Sequence, residues 1–409
     1  MEQQVQTQVV SQMNGFGITA AKGFRAVGVH AGIKKEHLDL GIVVSDVPAA
    51  AAGVFTLNRV RAACVQLNES VVQNGILQAI VVNSGNANAC TGAKGWEDAQ
   101  TMQAVTADQL GIPAAHVAVA STGVIGVELP MEQVQTGIKA ACREAAVEGF
   151  ETFAKAITTT DTCLKQYQAT VNIEGKQVTI GGAVKGSGMI HPNMATMLGF
   201  LTTDAAVGAA DLQQLLRDVT NESFNMITVD GDTSTNDMVL VMANGQAGTS
   251  LLSPEHPDWP VFAQAFQDVA VYLAKSIARD GEGATKLVEA RVHGAKSVED
   301  ARKIAKAIIG SNLVKTAVYG ADANWGRILC AVGYAGVDIV QESVDIWLGN
   351  IPVAKKGMGI PFDEEAAKEY LLGDPVVIKV DLGLGEAAAT AYGCDLTYDY
   401  VKINASYRS

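Results

Sequence analysis

Thr196 is the one hydroxyl in the apolar run from Met194 to Leu201, and it follows a stretch containing Gly181, Gly182, Gly186 and Gly188, with Lys185 among them. That placement offers acyl-transfer chemistry. The Thr196 hydroxyl can attack the carbonyl of Ala195, and breaking the Ala195-Thr196 bond frees an α-amine on the residue that carries the nucleophile. Nucleophile and base then sit on one residue. An α-amine ordinarily titrates near 8, and burial or a nearby cation lowers that value, so it is neutral and basic at pH 7. Lys185 is the cation close enough in sequence to act this way. The plain alternative is a β-branched residue that bonds its hydroxyl to the backbone of a buried strand.

Elements that would position these residues can be read from periodicity. QVTIGGAVKGSG (177–188) reads as a strand entering the glycine stretch, and AIVVNSGNANAC (79–90) and VAVASTGVIG (117–126) as buried strands running into small-residue loops. Helical spacing marks 96–111, 209–224 and 259–278. The segment beginning FNMITV reads as strand, polar loop (Asp230–Asp237) and strand, and the loop carboxylates either orient the site or cap the strands. In the last third, 286–295 reads as a strand. A helix follows over 297–310, capped by Ser297 with Asp300 at its third position. The segments 314–320 and the tail after Gly385 read as strand. The result is an α/β chain.

At 409 residues, two domains are the default. The formal charge of −13 and the lack of a Lys/Arg cluster argue against a nucleic-acid partner. The six cysteines contain no Cys-x-x-Cys pair and the six histidines no His-x-x-x-His pair, so no metal site is expected and a reducing cytoplasm fits. The N-terminus does not read as a secretory signal, and no apolar run is long enough to span a membrane. Three ligand-loop patterns fail. Gly181 and Gly186 have phosphate-loop spacing, but Ser187 stands where lysine belongs. The Gly383-Leu-Gly385 turn has no room for a βαβ unit after it. The Asp230–Asp237 loop lacks the glycine and terminal glutamate of a calcium loop.

KGSGMIHPNMATMLGFLTTD (185–204) closely resembles the cleavage-site motif of the ornithine acetyltransferases of arginine biosynthesis. NSGNANACTG (83–92), ASTGVIG (120–126), TTTDT (158–162), DGDTSTND (230–237), RDGEGATK (279–286), GADANWGRI (320–328) and INASYRS (403–409) resemble further family signatures in family order. The resemblance implies an acetyltransferase that cuts itself between Ala195 and Thr196 into chains 1–195 and 196–409, which stay together as an α2β2 tetramer. It implies Thr196 as nucleophile, with Thr122 and Gly123 as the oxyanion hole. It implies substrate contacts from Thr159, Lys185, Thr196, Glu282, Asn404 and Ser409. Thr158 and Thr160 flank Thr159 and offer the same hydroxyl. The small-molecule substrates implied are N-acetylornithine and glutamate. No cofactor is expected, and acetyl-CoA is a possible second donor.

The expected fold is an α/β layered sandwich of two packed domains, of the kind that carries a self-cleaving N-terminal-threonine nucleophile. The first domain is placed at 1–283, the second at 284–395, with the tail 396–409 returning to the site. Two rivals remain at this point: a self-cleaving amidohydrolase or aminopeptidase on the same scaffold, and a non-enzymatic binding protein in which Thr196 is structural.

Overall fold

The computed structural model describes residues 16–191 and 197–406. Strands β1 (Phe24–Val29), β2 (Leu40–Phe55), β3 (Ile76–Asn86), β4 (Val117–Val124), β5 (Lys165–Ile173), β6 (Lys176–Lys185), β7 (Leu198–Thr203) and β8 (Met238–Ala243) form an eight-stranded sheet. Its order is β4-β3-β2-β8-β7-β6-β5, with β1 paired to β2. The length of β2 lets it serve two partners in turn, β3 through Ala50 and β8 from Ala50 onward.

Helices α1 (Ala63–Gln73), α2 (Gly92–Leu110), α3 (Met131–Glu144) and α4 (Phe150–Ile157) cover one face of this sheet, and α5 (Ala209–Glu222) and α6 (Trp259–Arg279) the other. The sequence of β8, MVLVMA, shows why both faces need cover. Met238, Leu240 and Met242 join the core under α1–α4, while Val239, Val241 and Ala243 join the core under α5 and α6. A strand buried on both sides is apolar at every position.

A six-stranded sheet follows, built from β9 (Leu287–Ala295), β10 (Asp345–Leu348), β11 (Ile351–Lys355), β12 (Met358–Gly359), β13 (Val376–Asp381) and β14 (Ala387–Cys394) in the order β12-β11-β10-β13-β9-β14. Helices α7 (Val298–Gly310), α8 (Asn312–Tyr319) and α9 (Trp325–Gly333) contribute to its core. α10 (Glu364–Leu371) precedes β13, and α11 (Tyr398–Ser406) ends the described chain. Leu287, Tyr392 and Cys394 pack into the core under α6, which joins the two sheets. The architecture is the α/β layered arrangement expected, and Ser297 caps α7 by accepting from Asp300 N at 3.1 Å.

Three local expectations are corrected. Residues 314–320 are helical, in α8, because the Ser311 hydroxyl caps the Val314 N–H, and Val314, Ala317 and Val318 are buried at helical spacing. The strand expected at FNMITV is a short 3-10 turn, Phe224–Met226, closed by Met226 N donating to Ser223 O. The tail is strand only to Cys394, and α11 follows.

One register matters most. Lys185 pairs with Leu198, and Leu198 pairs with Met238. Three neighbouring strands therefore set Lys185 beside the start of β7, and the start of β7 beside the residue that follows Asp237.

Candidate active site

A cavity of about 200 Å³ lies where the ends of β4 and β6 meet the loops before β8 and after α6. Thr122, Gly123, Thr159, Lys185, Glu282 and Asn404 all line it. These residues come from separate segments spread across most of the chain, and the fold brings them to one place. Ala195, Thr196 and Ser409 lie outside the described residues. Met197, which follows Thr196 in the chain, is buried, and its carbonyl accepts from Met238 N at 3.1 Å.

Thr122 and Gly123 end β4 beside Ser84 and Gly85 of β3. Gly123 has φ +131°, and a Cβ there would run into the backbone of Gly85 and Asn86. Only glycine permits this turn at this distance from β3. Among the threonines, Thr158 is committed elsewhere. Its hydroxyl donates to Lys155 O at 2.9 Å, and its carbonyl accepts from Lys34 Nζ at 2.6 Å. Thr159 and Thr160 face the cavity.

Glu282 is no solvated loop carboxylate: it is 7% exposed. Its N–H donates to Ser187 O at 3.0 Å, and its Oε2 accepts from Asn404 Nδ2 at 2.8 Å. Gly188 lies so close to the carboxylate that any side chain there would displace it. The tail that carries Asn404 is docked, since Thr397 Oγ1 donates to Gly283 O at 2.7 Å.

Sequence reasoning missed the groups beneath the cavity. Lys165, whose side chain is fully buried, sits between Asp161 Oδ1 at 2.6 Å and Asp280 Oδ2 at 2.5 Å. Asp161 also accepts from Gly186 N at 2.8 Å and Thr159 N at 3.0 Å, so it ties two cavity-lining segments together. Burial alone would raise the Asp161 carboxyl, but Lys165 and Lys185 outweigh it and hold the carboxyl below its usual range. Burial opposes the Lys165 charge, and Asp161 and Asp280 outweigh it and raise its pKa. The signal for Lys165 was present in the sequence. It occupies the inward phase of β5, with Tyr167, Ala169, Val171 and Ile173.

Lys165→Met is expected to lower Tm markedly, because it strands two buried carboxylates together, a loss of about 3–5 kcal/mol. Without the lysine, like charge raises the pKa of that carboxyl pair above its unfolded value. The penalty is then full above the raised folded-state value and shrinks as pH falls. Melts at pH 8 and pH 5 check this. A deficit that does not narrow at the lower pH would show that the lysine acts through packing alone.

The Asp230–Asp237 loop does more than cap strands. Asp230 accepts from Met189 N at 2.7 Å and Ile190 N at 2.9 Å, and Thr233 Oγ1 donates to His191 O at 2.9 Å, so the loop holds the end of the glycine stretch. Asn236 Nδ2 donates to Ala87 O at 2.6 Å and Ser121 O at 2.8 Å, bolting the start of β8 to the end of β4 that carries Thr122 and Gly123. Asp237 lines the cavity, is 3% exposed, and has an Oδ2 with no hydrogen-bond partner among the described residues. Burial pushes its carboxyl well above the usual range, while the Lys185 charge pulls it back. Burial likewise lowers the Lys185 ammonium, against the pull of Asp161, Asp237 and Glu282. Among the described residues no three His, Cys, Asp or Glu side chains converge as a metal site, and no helix is long and apolar enough to cross a membrane.

Residues 25–409 match the ArgJ family. The chain belongs to the ArgJ family. It is 55% identical over 408 residues to the arginine biosynthesis bifunctional protein ArgJ of Halalkalibacterium halodurans, covering 99% of each chain. It is 56% identical over 396 residues to the protein of the same name from Symbiobacterium thermophilum, covering 96% of this chain and 98% of that one. A crystal structure of the ArgJ protein from Bacillus halodurans matches 52% of this chain and all of that one, with 57% identity and a TM-score of 0.51. As an ArgJ enzyme the chain is an acetyltransferase of arginine biosynthesis, as its motifs implied.

Proposed function

We propose that the cavity moves acetyl from N-acetylornithine to glutamate through an acetyl-Thr196 intermediate, and that acetyl-CoA serves as a second donor. The carrying observation is the convergence of Thr122, Gly123, Thr159, Lys185, Glu282 and Asn404 on one small cavity. Maturation begins when Thr196 Oγ attacks the Ala195 carbonyl. The acyl group passes from nitrogen to oxygen, and water opens the ester to leave a C-terminal Ala195 and a free Thr196 amine. The chains 1–195 and 196–409 then pair as an α2β2 tetramer in the cytoplasm, with no metal or organic cofactor.

In the first half-reaction Thr196 Oγ attacks the acetyl carbonyl, and Thr122 and Gly123 stabilise the oxyanion. Lys185 holds the substrate carboxylate, while Glu282, braced by Asn404, receives the side-chain ammonium of ornithine. Ser409 completes the substrate contacts. The Thr196 α-amine shuttles the Oγ proton to the leaving nitrogen. The released amine is basic, and Asp237, whose burial favours the neutral carboxyl and whose Oδ2 has no hydrogen-bond partner among the described residues, gives it a proton. In the second half-reaction the Asp237 carboxylate takes that proton back from the glutamate ammonium. The freed amine attacks the acetyl ester, the C–Oγ bond breaks, and the Thr196 amine returns a proton to Oγ. Asp237 thus starts and ends the cycle protonated.

The test is incubation of the purified protein with N-acetylornithine or acetyl-CoA, with and without glutamate. N-acetylglutamate should form from either donor. Release of acetate at the same rate without glutamate would assign the cavity to hydrolysis.

A further inference from the structure

A second cleft, of about 410 Å³, shares a wall with the active-site cavity. Thr56 and Asn58 line it, and their segment is hydrogen-bonded along its length to residues 233–237, several of which line the cavity. Thr56 N donates to Asp237 O at 3.0 Å, Thr56 Oγ1 to Ser234 O at 3.0 Å, Asn58 Nδ2 to Thr233 O at 3.0 Å, and Ala62 N to Thr235 O at 2.9 Å. The two hollows therefore lie on either side of two hydrogen-bonded strips of backbone, 56–62 and 233–237.

The cleft is basic in a chain of net charge −13. Arg59, Arg61 and Arg217 line it, against the single carboxylate of Glu69. Glu69 is occupied by Arg61 at 2.6 Å. Arg59 and Arg217 make no ion pair among the described residues and remain exposed. Their positions are built. The Gln213 amide exchanges two 3.0 Å hydrogen bonds with the backbone of Gly53, which fixes α5 against β2. Arg217 lies one turn further along the same helix face. Leu57 also lines the cleft and is 61% exposed, an apolar surface in the same cleft as both guanidinium groups.

Guanidinium groups recognise phosphate oxygens through paired, charge-assisted hydrogen bonds, and an exposed apolar side chain suits the face of a base. The active-site cavity, at about 200 Å³, is about half the volume of the cleft, and among the described residues no arginine lines it. An acyl-CoA donor that seats its acetyl group there finds guanidinium partners for its phosphates in the cleft. We propose that the Arg59–Arg217 cleft binds the nucleotide end of acetyl-CoA, its phosphates on the two arginines and its adenine on Leu57. The pantetheine arm then crosses the two strips into the cavity. The inference rests on the reading that acetyl-CoA is a donor. N-acetylornithine has no such end and needs no such cleft.

The double variant R59A/R217A tests it, with adenosine 3′,5′-bisphosphate as a binding probe. Exposed arginine substitutions leave the fold intact. The KM for acetyl-CoA should rise about tenfold for each arginine lost, with kcat nearly unchanged, and calorimetry should show a matching loss of bisphosphate affinity. Transfer from N-acetylornithine should not change. Bisphosphate binding that is absent in the wild type, or undiminished in the variant, overturns the cleft assignment. So does a parallel fall in N-acetylornithine transfer. If the wild type binds the bisphosphate through these arginines yet makes no product from acetyl-CoA, the cleft stands and the donor reading falls.

Discussion

Thr196→Ala is expected to run as one uncut chain of 409 residues and to transfer no measurable acetyl group, a loss of at least about 10⁴-fold. The substitution removes the hydroxyl that opens the Ala195-Thr196 bond. It also removes the oxygen that would carry the acetyl group, and because the bond stays closed it withholds the α-amine base. Three functions fail together, which is why the effect exceeds that of any cavity-lining residue. The unsubstituted protein should give fragments of 195 residues and, by difference (409 − 195), 214 residues. N-terminal sequencing of the second should begin Thr-Met-Leu-Gly. Thr196→Ser keeps the hydroxyl and loses the methyl that restricts its rotamer, so it should cut and transfer more slowly but measurably. Transfer by the alanine variant at a rate near that of the serine variant would place the nucleophile elsewhere.

How much of this site could be read before folding depended on whether a residue's meaning is local. Gly123 was reached through the STG motif, and its need for glycine appears only in the fold, where a Cβ would meet the backbone of Gly85 and Asn86. Glu282 and Asn404 were reached only through their motifs. By composition one is a loop carboxylate and the other a tail amide, and the 2.8 Å bond between them exists only because α11 folds back. Asp161 and Asp280 lie within the TTTDT and RDGEGATK motifs, but nothing local in either says that it will be buried against a lysine. Each becomes a structural charge when Lys165, fixed by the alternation of β5, arrives between them. The α8 segment failed for another reason. Its β-branched composition favours a strand, but a single capping hydroxyl at Ser311 and burial at helical spacing outweigh that preference. The α/β layering itself was legible, since strands such as MVLVMA declare burial on both faces.

Asp237→Asn is expected to lower transfer to glutamate at pH 7 by about 10²–10⁴-fold, the usual worth of a positioned proton donor and acceptor. The asparagine has nearly the same shape and keeps the strand start in place, so Thr196 cleavage and the thermal melt should be close to normal. Two measurements separate proton transfer from simple positioning. Glutamate is mostly an ammonium at neutral pH, and without Asp237 only its free-amine fraction can attack. Transfer by the variant should therefore climb about tenfold per pH unit, a slope the unsubstituted enzyme does not show. Hydroxylamine, already unprotonated at neutral pH, should discharge acetyl-Thr196 at similar rates in both proteins. The neighbouring charges (Lys185 on β6, Glu282 after α6, and Asp161 with Lys165 beneath them) face both acceptors alike, so any change in Lys185 that follows the loss of Asp237 affects both and does not generate the difference between them. Equal losses with glutamate and hydroxylamine would show that the carboxylate only shapes the cavity. A selective loss with glutamate, relieved at high pH, follows when the Oδ2 of Asp237, unpartnered among the described residues, is the place where the amine proton waits between half-reactions.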